Sequence, residues 1–290
     1  MDAVIDIGTN TVLLLLGSGV RVIRDEARIT GLGRDLQKTF HPESKKRTLI
    51  ALREYDRFCR QAGVKKVICV GTASFRRAKD GPEFMEEIQK KFGWVTKIIS
   101  GEEEAGLSYL SVQHDFGTNP NLVALDIGGG STEIISKESG VSLELGTVVL
   151  TESYLKSDPP QEVEMTRLTK AIDQSLLSLN PKPYTPSPVL IALAGTATTL
   201  SSVNQKMKIW DPKKIQGSKI SMTELDRMIQ LFQRSTHDAL RMTPGMVPGR
   251  EDTILAGSLI LRAVMEKLGV HFIVVSDRGL RYGLFYQEFS

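Results

Sequence analysis

The sequence predicts an α/β protein made of two related halves, each with a mixed β-sheet flanked by helices. Two observations support this prediction. Predicted strands and helices alternate through the chain, and each half opens on a hairpin with nearly the same turn, in residues 4–11 and 125–132. The chain has 290 residues, 41% of them hydrophobic, and is therefore long enough for two domains with separate cores.

The first half is predicted to begin with a hairpin over residues 3–16. A mixed segment over 20–36 follows, with further strands around Ile23 and Ile29 and a loop that opens at residues 31–33. Apolar side chains at helical spacing then predict a helix over 42–62, which Gly63 ends. The elements that follow are a strand over 66–71, a helix over 82–92, a strand over 96–100 and a helix over 102–113. A polar segment with Gly117 and Pro120 comes next, and we place the boundary between the two domains at residue 117.

The second half repeats this pattern with additional helices. It is predicted to contain a hairpin over 122–136, a strand over 141–145, a helix over 165–179, a strand over 189–194 and a helix ending near 204. Helices over 223–234 and 251–268, a strand over 271–276 and a closing helix over 279–289 follow. The halves therefore read as related domains, the second being the larger.

Both hairpin turns have residues suited to binding phosphate. Glycine allows a close approach of the backbone, and successive turn N–H groups form a concave nest for phosphate oxygens. One copy alone would fit an ordinary hairpin equally well, whereas two copies favour phosphate binding. The predicted phosphate-binding residues are Gly8, Thr9 and Asn10 in the first half and Gly128, Gly129, Gly130, Ser131 and Thr132 in the second.

An aspartate precedes each turn, Asp6 in one copy and Asp126 in the other. Carboxylates are hard oxygen ligands, so we expect these two residues to bind Mg²⁺ or its water ligands. Two such turns facing each other across a cleft would clamp phosphate. Because a strand follows the glycines, neither turn is a Walker loop or a dinucleotide fingerprint.

Three further segments carry groups that suit phosphate chemistry. Gly195 and Thr196 open a helix, where N–H groups attract anions, although ordinary threonine capping explains them as well. Arg76 or Arg77 could bind a phosphate or form a solvated basic pair. The carboxylates of 102–104 complement a helix dipole, or one of them is a general base for water; the residues alone do not say which.

Composition excludes several classes of protein. The net charge is only +3 at pH 7, which is too small to predict binding to nucleic acid. The two cysteines are expected to be buried thiols in a reducing compartment, and the four histidines have no metal-ligand spacing. With no signal-peptide pattern and no apolar run of bilayer length, we expect a cytoplasmic protein without a membrane partner.

The motifs together resemble the exopolyphosphatase / guanosine pentaphosphate phosphatase family, within the actin, sugar kinase and heat-shock ATPase superfamily. The resemblance covers essentially the whole chain, which is similar to a short, two-domain member. The segments that carry it are Asp6–Asn10, Gly71–Arg76, Ser100–Ala105, Asp126–Glu133, Gly195–Thr199, Pro248–Asp252 and Ser276–Arg281.

This resemblance implies two ribonuclease-H-like domains of the actin-like ATPase type, with the active site in the interdomain cleft. Domain I would contain residues 1–117 and the last helix, about 279–290, and domain II residues 118–278. The resemblance also implies Mg²⁺-dependent hydrolysis of a terminal phosphoanhydride bond. It makes Glu104 the catalytic base, Asp126 the metal-linked acid and Arg76 a phosphate-binding residue.

The expected substrate is inorganic polyphosphate or guanosine pentaphosphate, and the sequence does not choose between them. A regulator that binds these ligands without hydrolysis is the alternative, although it would have no need of Glu104, Asp126 and Arg76 together. An actin-fold kinase is a third hypothesis, which the acidic helix start and the chain length disfavour. Helices of the second half that lack an obvious internal partner leave room for a homodimer.

Overall fold

Contacts divide the chain into two compact units. The structure is a computed structural model that describes residues 1–19, 21–184 and 188–290. Unit 1 comprises Met1–Ser111 and Leu280–Ser290, and unit 2 comprises Val112–Gly279. This division falls within a helix, a few residues before the boundary placed at residue 117 from the sequence.

Unit 1 contains a five-stranded sheet. Its elements are β1 (Asp2–Ile7), β2 (Thr11–Ser18), β3 (Arg21–Ile29), α1 (Pro42–Gln61), β4 (Lys66–Gly71), α2 (Ala73–Arg77), α3 (Gly81–Phe92), β5 (Val95–Ile98) and α4 (Gly101–Phe116), which runs on into unit 2. The strand order is β3-β2-β1-β4-β5. Strands β1, β2 and β3 are antiparallel neighbours, whereas β4 and β5 run parallel to β1.

Unit 2 contains a six-stranded sheet of order β10-β11-β9-β6-β7-β8. Its strands are β6 (Leu122–Ile127), β7 (Thr132–Ile135), β8 (Gly140–Leu143), β9 (Val189–Leu193), β10 (Lys219–Ser221) and β11 (Phe272–Val275). Its helices are α5 (Thr147–Tyr154), α6 (Glu162–Ser175), α7 (Ala194–Asn204), α8 (Pro212–Ile215), α9 (Met222–Arg234), α10 (His237–Arg241) and α11 (Ile254–Leu268), with 3₁₀ turns at Leu176–Ser178 and Lys182–Tyr184. The last helix, α12 (Leu280–Phe289), belongs to unit 1.

The two sheets have the same topology. In unit 2, β6, β7 and β8 are antiparallel neighbours, while β9 and β11 run parallel to β6, as β4 and β5 do to β1 in unit 1. Strand β10 adds an antiparallel edge to the second sheet. The predicted fold class, two mixed-sheet α/β domains flanked by helices, is confirmed.

The central strands are buried on both faces, which explains their unbroken apolar sequences. In β1, Ile5 belongs to an apolar cluster that includes Leu52 of α1 and Phe84 of α3, whereas the neighbouring Val4 belongs to a second cluster with Leu107 of α4 and Phe285 of α12. Helices therefore cover both sides of this sheet. In unit 2, α11 is apolar around most of its circumference and lies within the core.

Most predicted elements are present, and the differences lie in short or weakly periodic segments. Sequence reasoning missed α2, α5, α8, β10 and α10, none longer than eight residues. The helix expected over 251–268 begins only at Ile254, because Arg250 and Thr253 form a turn with a hydrogen bond of 3.0 Å. Both cysteines are buried thiols, as expected, and burial raises the pKa of Cys59 to about 12.

No helix in the described ranges combines the length and apolar character needed to cross a membrane.

Helix α12 packs so closely on α4 that only glycine fits at the contact. A Cβ atom at Gly283 would lie 1.8 Å from the Leu107 carbonyl oxygen. We therefore expect Gly283→Ala to lower the free energy of unfolding by about 1–3 kcal/mol, because α12 must move away. Thermal unfolding followed by circular dichroism measures this change.

Gly106→Ala, on α4, is the matched control, because a Cβ atom there would meet no atom within 4 Å. Alanine should raise stability at this helical position by about 0.5–1 kcal/mol. An unchanged melting temperature for Gly283→Ala would contradict the tight α4–α12 contact.

Candidate functional site

The sequence motifs lie where parallel strands end. In unit 1 they follow β1, β4 and β5, and in unit 2 they follow β6, β9 and β11. Parallel strands place their carboxyl ends at one edge of a sheet, which is where α/β proteins bind ligands. Each unit therefore collects its chemistry-bearing turns along one sheet edge.

The turn of unit 1 is closed by its own backbone. The Gly8 N–H donates to the Thr11 carbonyl at 2.9 Å, and the Thr9 carbonyl accepts from the Gly33 N–H at 2.8 Å. Within the described ranges, no group accepts from the N–H groups of Thr9 and Asn10, and the buried Asn10 amide has no hydrogen-bond partner. The turn thus offers donors to an incoming anion.

Unit 2 builds its turn in the same way. The Gly128 N–H donates to the Ser131 carbonyl at 2.9 Å, while the Gly128 and Gly129 carbonyls each accept from the start of α5 at 3.0 Å. A Cβ atom at Gly146 would lie 2.3 Å from the Gly129 carbonyl oxygen, so α5 seats directly on the turn. Among described residues, none accepts from the N–H groups of Gly129 and Gly130. The Thr132 hydroxyl is occupied within the fold, because it donates to the Leu145 carbonyl.

Arg76 and Glu104, which belong to two different sequence motifs, form an ion pair. The Arg76 guanidinium donates to the Glu104 carboxylate at 2.9 Å and also to the Ile99 carbonyl at 2.9 Å. The Glu104 side chain is only 12% exposed. Helix α2 supplies the arginine and the first turn of α4 supplies the carboxylate, so both stand at the same sheet edge of unit 1.

The structure separates the three carboxylates at the start of α4. Glu103 caps the helix, because its carboxylate accepts from the Ser100 N–H while the Ser100 hydroxyl accepts from the Glu103 N–H. Hydrogen bonds from Lys97 and from the Ser100 backbone hold the pKa of Glu103 below its usual value. Glu102 is exposed, and Glu104 alone of the three pairs with Arg76.

Asp126 stands opposite a second carboxylate, Glu133, which the sequence analysis includes in a motif but not among the site residues. In the β6–β7 register Asp126 faces Glu133, a buried residue that accepts a hydrogen bond from the Ser142 hydroxyl at 2.7 Å. Gly279 lies next to the carboxylate of Asp126, since a Cβ atom at residue 279 would be 3.9 Å from Asp126 Oδ2. Because the residue is glycine, it places no side chain against the carboxylate. The hairpin pattern in the sequence could have revealed this pair, because residues at equal distances from the turn of an antiparallel hairpin lie side by side.

Asp6 has a different setting from Asp126. It is buried at the end of β1, and the residue opposite it on β2 is the apolar Leu13. No group of three or more His, Cys, Asp or Glu side chains within the described ranges is placed to hold a metal. Magnesium nevertheless binds through one or two carboxylates together with waters and substrate phosphates, a pattern that Asp126 and Glu133 fit.

Gly195 and Thr196 open α7 against an arginine. A Cβ atom at Gly195 would lie 1.9 Å from a terminal nitrogen of Arg250, so the guanidinium rests on this turn. A Cβ atom at Gly257 on α11 would likewise lie 2.7 Å from the Thr196 hydroxyl oxygen. Arg250 belongs to the segment Pro248–Asp252 that carries the family resemblance, but only the fold reveals its position beside Gly195.

The segment after β11 resembles the segment after β4 in sequence, yet its arginine has a structural partner. Arg278 donates to the buried Asp115 carboxylate at 2.7 Å, and Gln216 donates to the same carboxylate at 3.2 Å. The Gln216 side-chain oxygen accepts from the Asp277 N–H at 3.0 Å. These bonds fix the backbone that leads to Gly279 beside Asp126.

Two sheets that share the same five-strand arrangement, each with a glycine turn after its first strand, define a protein of the actin-like ATPase fold. The chain belongs to the Ppx/GppA phosphatase family, whose family profile matches residues 17–290. The family resemblance stated from the sequence motifs is thereby confirmed.

Individual relatives extend over nearly the whole chain. This chain is 30% identical over 307 residues to Exopolyphosphatase 2 of Mycobacterium tuberculosis, and the alignment covers 97% of this chain and 96% of that protein. It is 29% identical over 301 residues to the Bifunctional 3-dehydroquinate synthase/phosphatase of Fusobacterium nucleatum, covering 96% of this chain but 45% of that longer protein. The crystal structure of an exopolyphosphatase from Cytophaga hutchinsonii matches with a TM-score of 0.90 at 26% identity, over 98% of this chain and 96% of that one.

The buried Glu251 carboxylate, paired with the exposed Arg241, should make stability depend on pH. Glu251 accepts from the Arg241 side chain and from the Gly249 N–H, both at 2.6 Å. Burial alone would raise the pKa of Glu251, but these hydrogen bonds outweigh it and hold the pKa below its usual value. The ionised carboxylate therefore stabilises the fold above its unfolded pKa of about 4.3, and this contribution is lost as the pH falls through the lower folded value.

We expect Glu251→Gln to reduce the free energy of unfolding at pH 7 by about 1–3 kcal/mol, because a charged hydrogen-bond acceptor is lost. The melting temperatures of variant and parent should converge as the pH falls below about 4. Glu266→Gln, an exposed partner of Arg262 on α11, is the control and should change little. A difference that persists unchanged at low pH would contradict the assignment.

Proposed function

We propose that this protein hydrolyses the terminal phosphoanhydride bond of inorganic polyphosphate, or of guanosine pentaphosphate to give the tetraphosphate, and releases orthophosphate. The ion pair of Glu104 with Arg76, 2.9 Å apart at the sheet edge of unit 1, is the observation that carries the proposal. It supplies a carboxylate and a phosphate-binding cation together. Membership of a phosphatase family and the names of the relatives support the same chemistry.

The proposed binding groups are backbone N–H donors and arginine. The turns Gly8–Asn10 and Gly128–Ser131, with Gly195 and Thr196 at the start of α7, would hold phosphoryl oxygens through their N–H groups. The guanidinium of Arg76 has five donors and uses one nitrogen, Nη1, for its contacts with Glu104 and Ile99. It can therefore bind a phosphoryl oxygen while it still orients the Glu104 carboxylate.

Glu104 is proposed as the general base. The oxygen of a water molecule forms a bond to the terminal phosphorus, and the Glu104 carboxylate accepts the proton that this water loses. The bond between the terminal phosphorus and the bridging oxygen breaks, and its electron pair remains on the bridging oxygen of the shortened chain. Orthophosphate and a product shorter by one phosphate result, so atoms and charges balance.

Magnesium is the proposed cofactor, with Asp126 and Asp6 as its protein ligands and Glu133 beside Asp126. The oxygen donors and the open side at Gly279 fit a hard divalent cation. Bound Mg²⁺ would neutralise negative charge on the phosphoryl oxygens. The chain's own contribution is to keep these carboxylates at the strand ends, where β6 and β1 stop.

The proposed base can be tested with two variants of neighbouring glutamates. Glu104→Gln should lower orthophosphate release by about 10²–10⁴-fold, because the amide cannot accept the proton. Glu102→Gln, in the same helical turn but exposed, should leave turnover within about twofold, since surface changes are usually small. Long polyphosphate, short polyphosphate and guanosine pentaphosphate are assayed in parallel with Mg²⁺ to identify the substrate.

Near-normal turnover in Glu104→Gln would refute the role of Glu104. Binding of the substrates without any orthophosphate release by the parent protein would instead support a regulator that senses these ligands.

The proposed metal ligand gives a separate expectation. Chelation of divalent cations should abolish orthophosphate release, and Asp126→Asn should raise the Mg²⁺ concentration for half-maximal activity by about tenfold or more. Mn²⁺ binding followed by electron paramagnetic resonance measures the same loss without turnover. Asp226→Asn, which removes an exposed carboxylate paired with Arg262, is the control. Unchanged Mn²⁺ affinity in Asp126→Asn would contradict the assignment.

A further inference from the structure

The connection between α7 and α8 carries two exposed apolar side chains among lysines. Ile209 is 85% exposed and Trp210 is 45% exposed. We name residues 206–214, which comprise most of this connection and the first three residues of α8, the lysine–tryptophan loop; their sequence is Lys-Met-Lys-Ile-Trp-Asp-Pro-Lys-Lys. One exposed apolar side chain is ordinary on a protein surface, whereas two adjacent ones on a single loop form a patch that favours a partner.

The loop also has uncompensated positive charge. Its four lysines are exposed, and none of them forms an ion pair with a carboxylate of the described residues. The loop has a single acid, Asp211, whose carboxylate accepts from the Lys213 N–H at 3.0 Å and caps α8. The charges therefore face solvent and remain available to an anionic surface.

The base of the loop is held in place. The side-chain amide of Gln205 donates to the Lys214 carbonyl at 3.0 Å and so joins the two ends of the loop. The Met207 N–H donates to the Ser202 carbonyl at 3.0 Å, and Ile215 is fully buried just after the loop. The apolar pair is thus presented to solvent by an anchored structure.

The loop is separate from the phosphate-binding turn of the same unit. Gly195 lies at the beginning of α7, and the loop follows its end at Asn204. With a rise of 1.5 Å per residue, these two ends are about 15 Å apart. A role for the loop is consequently independent of the proposed phosphate chemistry.

We propose that the lysine–tryptophan loop binds the surface of an anionic lipid bilayer. Tryptophan is enriched at membrane–water interfaces, and lysines close to such a surface are attracted by anionic headgroups. A soluble polyphosphate chain would use the lysines but offers no apolar surface for Ile209 and Trp210. Peripheral contact of this kind does not need a spanning helix, and it adds a membrane partner that the sequence analysis did not expect.

The two tryptophans of the chain allow a direct measurement. Trp94 is buried and stacks on Phe92 with ring centroids 4.4 Å apart, whereas Trp210 is exposed. In a Trp94→Phe variant all tryptophan fluorescence comes from Trp210. Vesicles of phosphatidylcholine mixed with phosphatidylglycerol should shift its emission to the blue, and vesicles of phosphatidylcholine alone should not. If Trp94→Phe does not fold, co-sedimentation of the unaltered protein with the same vesicles measures binding instead.

Variants separate the apolar from the electrostatic contribution. Lys208→Glu combined with Lys213→Glu should weaken vesicle binding by about 25-fold or more, since each lysine near an anionic surface contributes about fivefold. Ile209→Ser combined with Trp210→Ser should also weaken co-sedimentation by about tenfold or more. Lys90→Glu with Lys91→Glu, on α3 in unit 1, and Leu177→Ser, another exposed apolar residue, are the matched controls and should bind as the parent does.

Three results would overturn the proposal. They are absence of binding to anionic vesicles, equal binding to neutral vesicles, and binding that survives both loop variants. A change in Trp210 emission on adding soluble polyphosphate, with no response to vesicles, would assign the loop to a soluble polyanion instead. Orthophosphate release measured on the same loop variants reports the proposed hydrolase separately, so failure of one hypothesis is distinguishable from failure of the other.

Discussion

One backbone hydrogen bond sets the shape of the turn on which each unit depends. In both units the first glycine donates to the residue three positions later, at 2.9 Å, and the segment that follows the third strand donates to the turn carbonyls. The carbonyl groups are therefore used inside the protein, which leaves successive N–H groups for an anion. The tight fit of Gly33 on Thr9 and of Gly146 on Gly129 follows from this requirement.

The two units share this turn but differ in the charges around it. Unit 1 places the apolar Leu13 opposite Asp6 and adds the pair of Arg76 with Glu104. Unit 2 places Glu133 opposite Asp126, and its Arg250 lies against the turn at Gly195 that opens α7. A repeated topology thus supplies a repeated donor geometry, while a few side chains next to it give each unit a distinct chemical character.

Much of this arrangement could be predicted from the sequence, because the informative signals are local. The paired hairpins, the strands of continuous apolar residues and the helices at periodic spacing all depend on neighbouring residues. The position of Arg250 on Gly195 depends on the packing of α11 against α7, which no local pattern encodes. The three glutamates at the start of α4 show the same limit, since only the cap at Ser100 and the position of Arg76 distinguish them.

The contact of Gly283 with Leu107 bears on the order in which the two units finish packing during synthesis. Unit 2 is continuous in sequence, so all of its residues have been made before α12 leaves the ribosome. Unit 1 needs α12 to cover one face of its sheet, and Val4 and Leu15 stay without that cover until the helix arrives. Domains usually fold during translation in the order in which they are made, the N-terminal one first. Here unit 2 can complete its packing before unit 1, because unit 1 still needs α12. Strand β1 is therefore among the last elements of unit 1 to be fully buried.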